Sequence, residues 1–253
     1  MIYNKLLADV TEYSPNSQLP TPNSFLLINE ATLKRQYKYK NNSSEHIVAS
    51  RTSGFRHYQQ LAFLPSMVQF FHFYHDILEW KTPTKFFLNP VSPGSTSKYF
   101  FLLRDTIVSG IDSTFIISYQ PCRSTNFEGL KGLLYINTNG WAIQNVVAEP
   151  ADYSPVHLKI QQSYALIDSA WFPTKLSLDL IFENISNTGL NVIFRGKSHI
   201  TDVDLSPDLT DKSIKGRNIT IADNANKKKG IIDLYRNTEL SQQEDSILTS
   251  FIN

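Results

Sequence analysis

The sequence predicts an α+β protein dominated by a curved, open antiparallel sheet, a half-barrel, wrapped around aromatic-rich helices. Three observations predict it. Aromatic residues make up 12% of the chain, with 16 Phe and 12 Tyr against 10 Gly, and aromatic and branched side chains pack well on a half-buried strand surface. From Tyr99 to Thr201 apolar residues recur mainly at every second position, the period of a strand. Between Leu61 and Trp80 they cluster at helical spacing instead, as Leu61, Leu64, Val68 and Phe71, and again as Phe70, Phe73, Tyr74, Ile77 and Leu78.

Taken in order, Asn4 to Tyr13 reads as a short helix, with Leu6, Leu7 and Val10 at helical spacing before Pro15 stops it. Ser14 to Asn23 holds Pro15, Pro20 and Pro22 among polar residues and reads as an extended linker. Leu26 to Ile28, Gln36 to Lys40 and His46 to Ala49 are short strand candidates, broken by the turn-rich Asn41-Asn42-Ser43-Ser44. Leu61 to Trp80 reads as one or two helices with Pro65 near a start. An element apolar on most sides must be covered on most sides, so the sheet is expected to wrap around it.

Beyond Pro93 seven strands follow: Tyr99 to Arg104, Thr114 to Gln120, Gly132 to Asn137, Ala142 to Glu149, His157 to Ile167, Lys175 to Phe182 and Asn191 to Thr201. Short polar turns between them imply an antiparallel meander. Asn139-Gly140 offers the positive φ angles a tight hairpin needs. Lys175, Ser177 and Asp179 alternate with Leu176, Leu178 and Leu180, which marks one wet and one dry face. From Ser206 the chain turns polar and charge-mixed, and Ser241-Gln242-Gln243-Glu244 has the pattern of a capping box. Residues 1–205 are thus expected to form one β-rich domain, whose helix and linker occupy 1–24, and residues 206–253 a polar C-terminal segment.

Charge and composition exclude several classes. With 24 Lys and Arg against 23 Asp and Glu, the chain has no excess positive field, and nucleic acid is not an expected partner. A single cysteine, Cys122, excludes an internal disulfide framework. The most apolar stretches, Tyr99 to Leu103 and Phe115 to Tyr119, are strand-length, far below the ~20 residues of a membrane-spanning helix. Met1 to Glu12 holds no apolar leader, which fits either a cytoplasmic protein or one whose targeting segment is missing.

Catalytic chemistry finds no home in the motifs. On a helix His72 would share a face with Asp76, and His75 with Glu79. Zinc hydrolases instead space their two histidines four apart around a glutamate, so no metal site is expected. Cys122 has no local histidine signature, no Gly-x-Ser-x-Gly elbow occurs, and the acidic residues are scattered at strand ends. The expectation is no enzyme, no catalytic residue and no cofactor. Candidate ligand-contacting residues are Phe70, Phe73, Tyr74, Trp80 and Trp171, which either fill the curl of the sheet or line an open groove.

Phe127-Glu128-Gly129-Leu130-Lys131-Gly132 brackets a strand entrance with two glycines, a sign of close backbone approach. With Leu134-Tyr135-Ile136-Asn137-Thr138, Ala142-Ile143-Gln144-Asn145-Val146 and Ala148-Glu149-Pro150 it resembles a family of uncharacterised Bacteroidetes outer-membrane proteins carrying a domain of unknown function. Ser53-Gly54-Phe55, Phe87-Leu88-Asn89-Pro90, Trp171-Phe172-Pro173 and Tyr235-Arg236 are similar to that family's spacing. The resemblance implies a periplasmic region lying between a carboxypeptidase-regulatory-like sandwich and a transmembrane β-barrel, with residues 206–253 leading toward the barrel. It implies a non-enzymatic scaffold or interaction domain in envelope transport or assembly, with an apolar ligand or an envelope protein as partner. The meander is also similar in outline to the lipoprotein-carrier fold, which implies a lipid- or lipoprotein-binding module as the alternative. A hydrolase using the His72 and His75 region is the third reading.

Overall fold

The computed structural model describes residues 1–12, 24–38, 42–53, 73–81, 84–122, 126–152, 156–183, 189–207, 214, 217–236, 239–242, 244 and 248. Its strands are β1 (Ile2–Glu12), β2 (Ser24–Lys38), β3 (Asn42–Ser53), β4 (Ile77–Lys81), β5 (Thr84–Leu88), β6 (Tyr99–Ser109) and β7 (Asp112–Pro121). There follow β8 (Leu130–Asn137), β9 (Ala142–Pro150), β10 (Val156–Ile167), β11 (Ala170–Phe182), β12 (Leu190–Ile200), β13 (Arg217–Ile221) and one short helix, α1 (Lys229–Tyr235). Eleven strands form one open sheet in the order β13-β3-β2-β1-β12-β11-β10-β9-β8-β7-β6, and β4 with β5 forms a separate hairpin. Every neighbouring pair in the large sheet is antiparallel except β13 with β3.

The seven-strand meander stands as expected, in β6 to β12. The α+β class with aromatic-rich helices does not. The end of the expected helix is strand β4, whose Ile77 to Lys81 pair with Leu88 to Thr84 of β5. Leu78 and Phe87 point into the core while Ile77, Glu79 and Phe86 face out, so the alternation is that of a strand. Residues 61–72, which began that expected helical region, lie outside the described residues, as does the Ser14 to Asn23 linker.

The expected N-terminal helix is also a strand. β1 sits between β2 and β12, with Ile2 opposite Ile200 and Leu33. Both of its faces are covered: Tyr3, Lys5 and Asp9 are buried on one, Ile2, Leu6 and Ala8 on the other. A strand dry on both faces loses the alternation that marks strands in a sequence, which left Leu6 and Leu7 to imitate a helix. The short candidates between Leu26 and Ala49 merge into two long strands, β2 and β3.

One face of the sheet carries the main core. Leu134, Val146, Ala148, Leu158, Ile160, Leu178 and Leu180 pack there with Tyr119, beneath Phe73, Leu78 and Phe87. The glycines of the 127–132 motif sit where strands and loops close on this core. A Cβ at Gly132 would lie 2.0 Å from the Val147 carbonyl oxygen, and one at Gly129 2.3 Å from the Pro121 ring.

The opposite face is polar and partly covered by the C-terminal segment. Ile232 of α1 is buried against Tyr3 and Ala49. Beside them the fully buried Glu30 accepts from Tyr3 Oη at 2.5 Å, Arg51 Nε at 3.0 Å, and Arg236 Nε and Nη2 at 2.9 and 3.0 Å. Burial would raise the Glu30 pKa, but Arg236, Tyr3 and Arg51 hold it below the ordinary value. The capping box forms as expected: Ser241 N–H donates to Glu244 Oε2 at 2.8 Å, and Glu244 N–H to Ser241 Oγ at 3.3 Å.

Candidate ligand-binding site

Cover on the core face runs out toward β6. Register places Phe101 opposite Tyr119 and Leu103 opposite Ile117, then, past a bulge at Arg104, Thr106 opposite Phe115 and Val108 opposite Ser113. Tyr119 is core, so Phe101, Leu103, Phe115 and Val108 share its face. Yet Leu103 is 56% and Val108 71% exposed. The dry face therefore continues past the buried cluster as an apolar strip open to solvent.

The turn from β8 to β9 frames that strip. Gly140 has φ 76° and Trp141 φ 52°, so the left-handed pair is Gly140-Trp141, one residue later than the Asn139-Gly140 expected from sequence. Left-handed backbone is rare for a bulky side chain. Trp141 nevertheless stands 69% exposed, its ring stacked on Phe115 with centroids 6.0 Å apart and planes 5° from parallel. Trp141 takes the second of the two left-handed positions that the tight hairpin needs. On the next hairpin Trp171 Nε1 donates to the Asn139 carbonyl at 2.9 Å, tying the two tips together. Ile111, at the tip between β6 and β7, is fully exposed.

Of the residues singled out from sequence, Tyr74 and Trp171 border this strip. Tyr74 is half exposed; its hydroxyl accepts from Ile143 N–H at 3.0 Å, and its ring meets Tyr164 edge-on at 5.8 Å. Phe73 instead is fully buried in the core, its N–H donating to Tyr164 Oη at 2.7 Å. The Tyr164 hydroxyl donates in turn to Gln162 Oε1 at 2.7 Å. Burial raises the pKa of Tyr74 and Tyr164, so both stay protonated donors at neutral pH. Trp80 lies on strand β4 and not on a helix, and Phe70 lies outside the described residues. Sequence reasoning missed Trp141, Phe115, Leu103 and Val108. An aromatic residue directly after Asn-Gly in a turn was the available signal.

The chemistry of the surroundings is contact and stacking. His72 lies outside the described residues, His75 precedes β4 and Glu79 is within it, so the helical spacing behind a zinc reading does not apply to His75 and Glu79. Among the described residues no three His, Cys, Asp or Glu side chains gather as metal ligands. The Cys122 N–H is bonded to the Lys98 carbonyl at 2.9 Å, at the end of β7. No described helix is long and apolar enough to cross a membrane.

Comparison with known proteins gives a family. The chain belongs to DUF5686, a family of unknown function whose model matches residues 4–195. No curated protein matches it. Among solved structures it is similar to a DUF1329 family protein from Desulfovibrio piger ATCC 29098, at 10% identity over 81% of this chain and 87% of that one, with a TM-score of 0.26. It is similar also to a LolA superfamily protein from Nitrosomonas europaea, at 12% identity over 80% of this chain and 87% of that one, with a TM-score of 0.25. At those scores neither likeness bears on function.

Proposed function

We propose that this member of DUF5686 is a non-enzymatic binding module that seats an apolar chain, the acyl chain of a lipid or lipoprotein, on the uncovered end of its sheet. One observation carries the reading: the core face continues past the bulge at Arg104 into exposed apolar surface, where Trp141 is held at positive φ and stacked on Phe115. Exposed apolar surface costs about 25 cal/mol per Å², and a ligand that covers it removes that cost. Leu103, Val108, Phe115 and Trp141 supply contact area without groups that move protons, which supports binding over catalysis. The setting we propose, the periplasmic side of an outer-membrane protein, rests on the motif resemblance alone.

A second reading, an interaction domain for an envelope protein, is favoured by β6 itself. It is an edge strand with Phe100, Leu102 and Ile107 exposed on its other face, and an open edge can accept a partner's strand. Titration with the neutral dye N-phenyl-1-naphthylamine separates the two. The acyl-chain reading predicts saturable fluorescence enhancement that Val108→Asp weakens at least about tenfold with an unchanged melting temperature. Absence of binding to the wild-type protein, or binding untouched by Val108→Asp, refutes it and leaves the edge-strand reading.

A further inference from the structure

The wet face of the sheet carries a second feature, on the side opposite the apolar strip. Strands β1, β10, β11 and β12, with Glu239, Leu240, Ser241 and Glu244, line a cleft of about 640 Å³, within the ~300–1,000 Å³ range of small-ligand sites. Register fixes what lines it. Tyr3 lies opposite His199, His199 opposite Lys175, Lys5 opposite Lys197 and Lys197 opposite Ser177, so these side chains share one face.

Four basic side chains other than His199 face the cleft, and two are already matched. Lys5 Nζ is 2.6 Å from Glu244 Oε1, and Arg195 is paired with the buried Asp9. Lys175 and Lys197 have no ion pair among the described residues. They occupy diagonal positions on adjacent strands, where like charges repel. His199 lies opposite Lys175 and two residues along β12 from Lys197, and its Nδ1 is buried without a hydrogen-bond partner. Burial and the nearby Lys175 both lower the His199 pKa. Among the described lining residues Glu239 is the carboxylate without an ion pair, so two unmatched cations share the cleft with one unmatched anion. Leu7 and Leu240 line the same cleft, and the lysine stems add further apolar wall.

We infer that this cleft binds a phosphate-headed amphiphile, with the phosphate on Lys175, Lys197 and His199 and the apolar body over Leu7 and Leu240. The two ammonium groups and the His199 ring stand on one face of adjacent strands, and a tetrahedral dianion has the acceptors to meet several donors at once. The inference is independent of the acyl-chain site, since the two lie on opposite faces of the sheet.

The test uses the full chain, with octyl phosphate below its micelle concentration, inorganic phosphate, and phosphatidic-acid vesicles as probes in calorimetric titration and co-sedimentation. Octyl phosphate is expected to bind. The Lys175→Ala/Lys197→Ala variant should bind it about ten- to a hundredfold more weakly, and the Lys175→Arg/Lys197→Arg variant should restore most of the affinity. Circular dichroism of each variant should match the wild type. The same loss on the alanine substitutions is expected in a Trp141→Ser background, which removes the strip's ring contact for the octyl chain. No binding, or affinity unchanged in the alanine variant, overturns the site. Inorganic phosphate binding as tightly as octyl phosphate overturns the amphiphile assignment. Retention by vesicles without binding of monomeric octyl phosphate overturns the enclosed cleft in favour of a membrane-surface contact.

Discussion

Replacing Glu30 by Gln should destabilise the fold by about 3–5 kcal/mol at pH 7, the range for removing one partner of a buried ionic cluster. The carboxylate is fully buried on β2 and is held by Arg51 of β3, Arg236 after α1 and Tyr3 of β1. Glutamine keeps one acceptor but leaves the Arg51 guanidinium, 15% exposed, without its counter-charge and Arg236 with Asp233 alone. Arg236→Ala removes one of the two guanidinium groups, with its two hydrogen bonds, and leaves Arg51 and Tyr3 on the carboxylate, so it should cost less, about 1.5–3 kcal/mol, the range for hydrogen bonding to a charged group. The pH dependence follows from the depressed Glu30 pKa. Its folded value lies below the unfolded one, near pH 4.3, so its contribution is complete above that pH and is lost as pH falls through the folded value. Urea unfolding of wild type, Glu30→Gln and Arg236→Ala at pH 7 and pH 4 measures all three terms. A Glu30→Gln protein within about 0.5 kcal/mol of wild type, the ordinary surface range, would refute the cluster as a stabilising element. So would an acid loss of stability that the substitution leaves unchanged.

Phe73→Ala should cost about 3–5 kcal/mol in urea unfolding, because Phe73 is fully buried beneath the β4–β5 hairpin; a near-neutral result would mean that the core there is open. Gly132→Ala should cost about 1–3 kcal/mol in thermal melts, since its Cβ would meet the Val147 carbonyl at 2.0 Å, and an unchanged melt would contradict the packing of β8 on β9. Ser241→Ala should cost about 1 kcal/mol and speed hydrogen exchange at the Glu244 amide, whose acceptor is the Ser241 hydroxyl; unchanged exchange would show that the capping box is not formed in solution.

The meander was legible because strands such as β11 keep one wet and one dry face, as Lys175, Ser177 and Asp179 against Leu176, Leu178 and Leu180 show. β1 was not, because neighbours and the C-terminal segment dry both of its faces. Leu78 and Phe87 were recognised as apolar, but Phe73, Tyr74, Ile77 and Leu78 satisfy a helical spacing as readily as a hairpin's, and only the pairing of Lys81 with Thr84 decides between them. Tyr74 and Trp171 were legible at the candidate site as aromatic residues without an obvious core role. Trp141 was hidden behind the turn signal of Asn139-Gly140. The Glu30 cluster joins residues up to 206 positions apart, and no local pattern encodes such a meeting.

The central claim is that an acyl chain lies along the core face against Trp141. Tryptophan emission measured during titration with a dibrominated monoacylglycerol tests it most directly, since bromine quenches an indole it touches and the ligand carries no charge for the cleft on the other face. The account predicts saturable quenching of the wild-type protein that is largely lost in Trp141→Phe. Quenching that is absent, or that persists undiminished in Trp141→Phe, would contradict it.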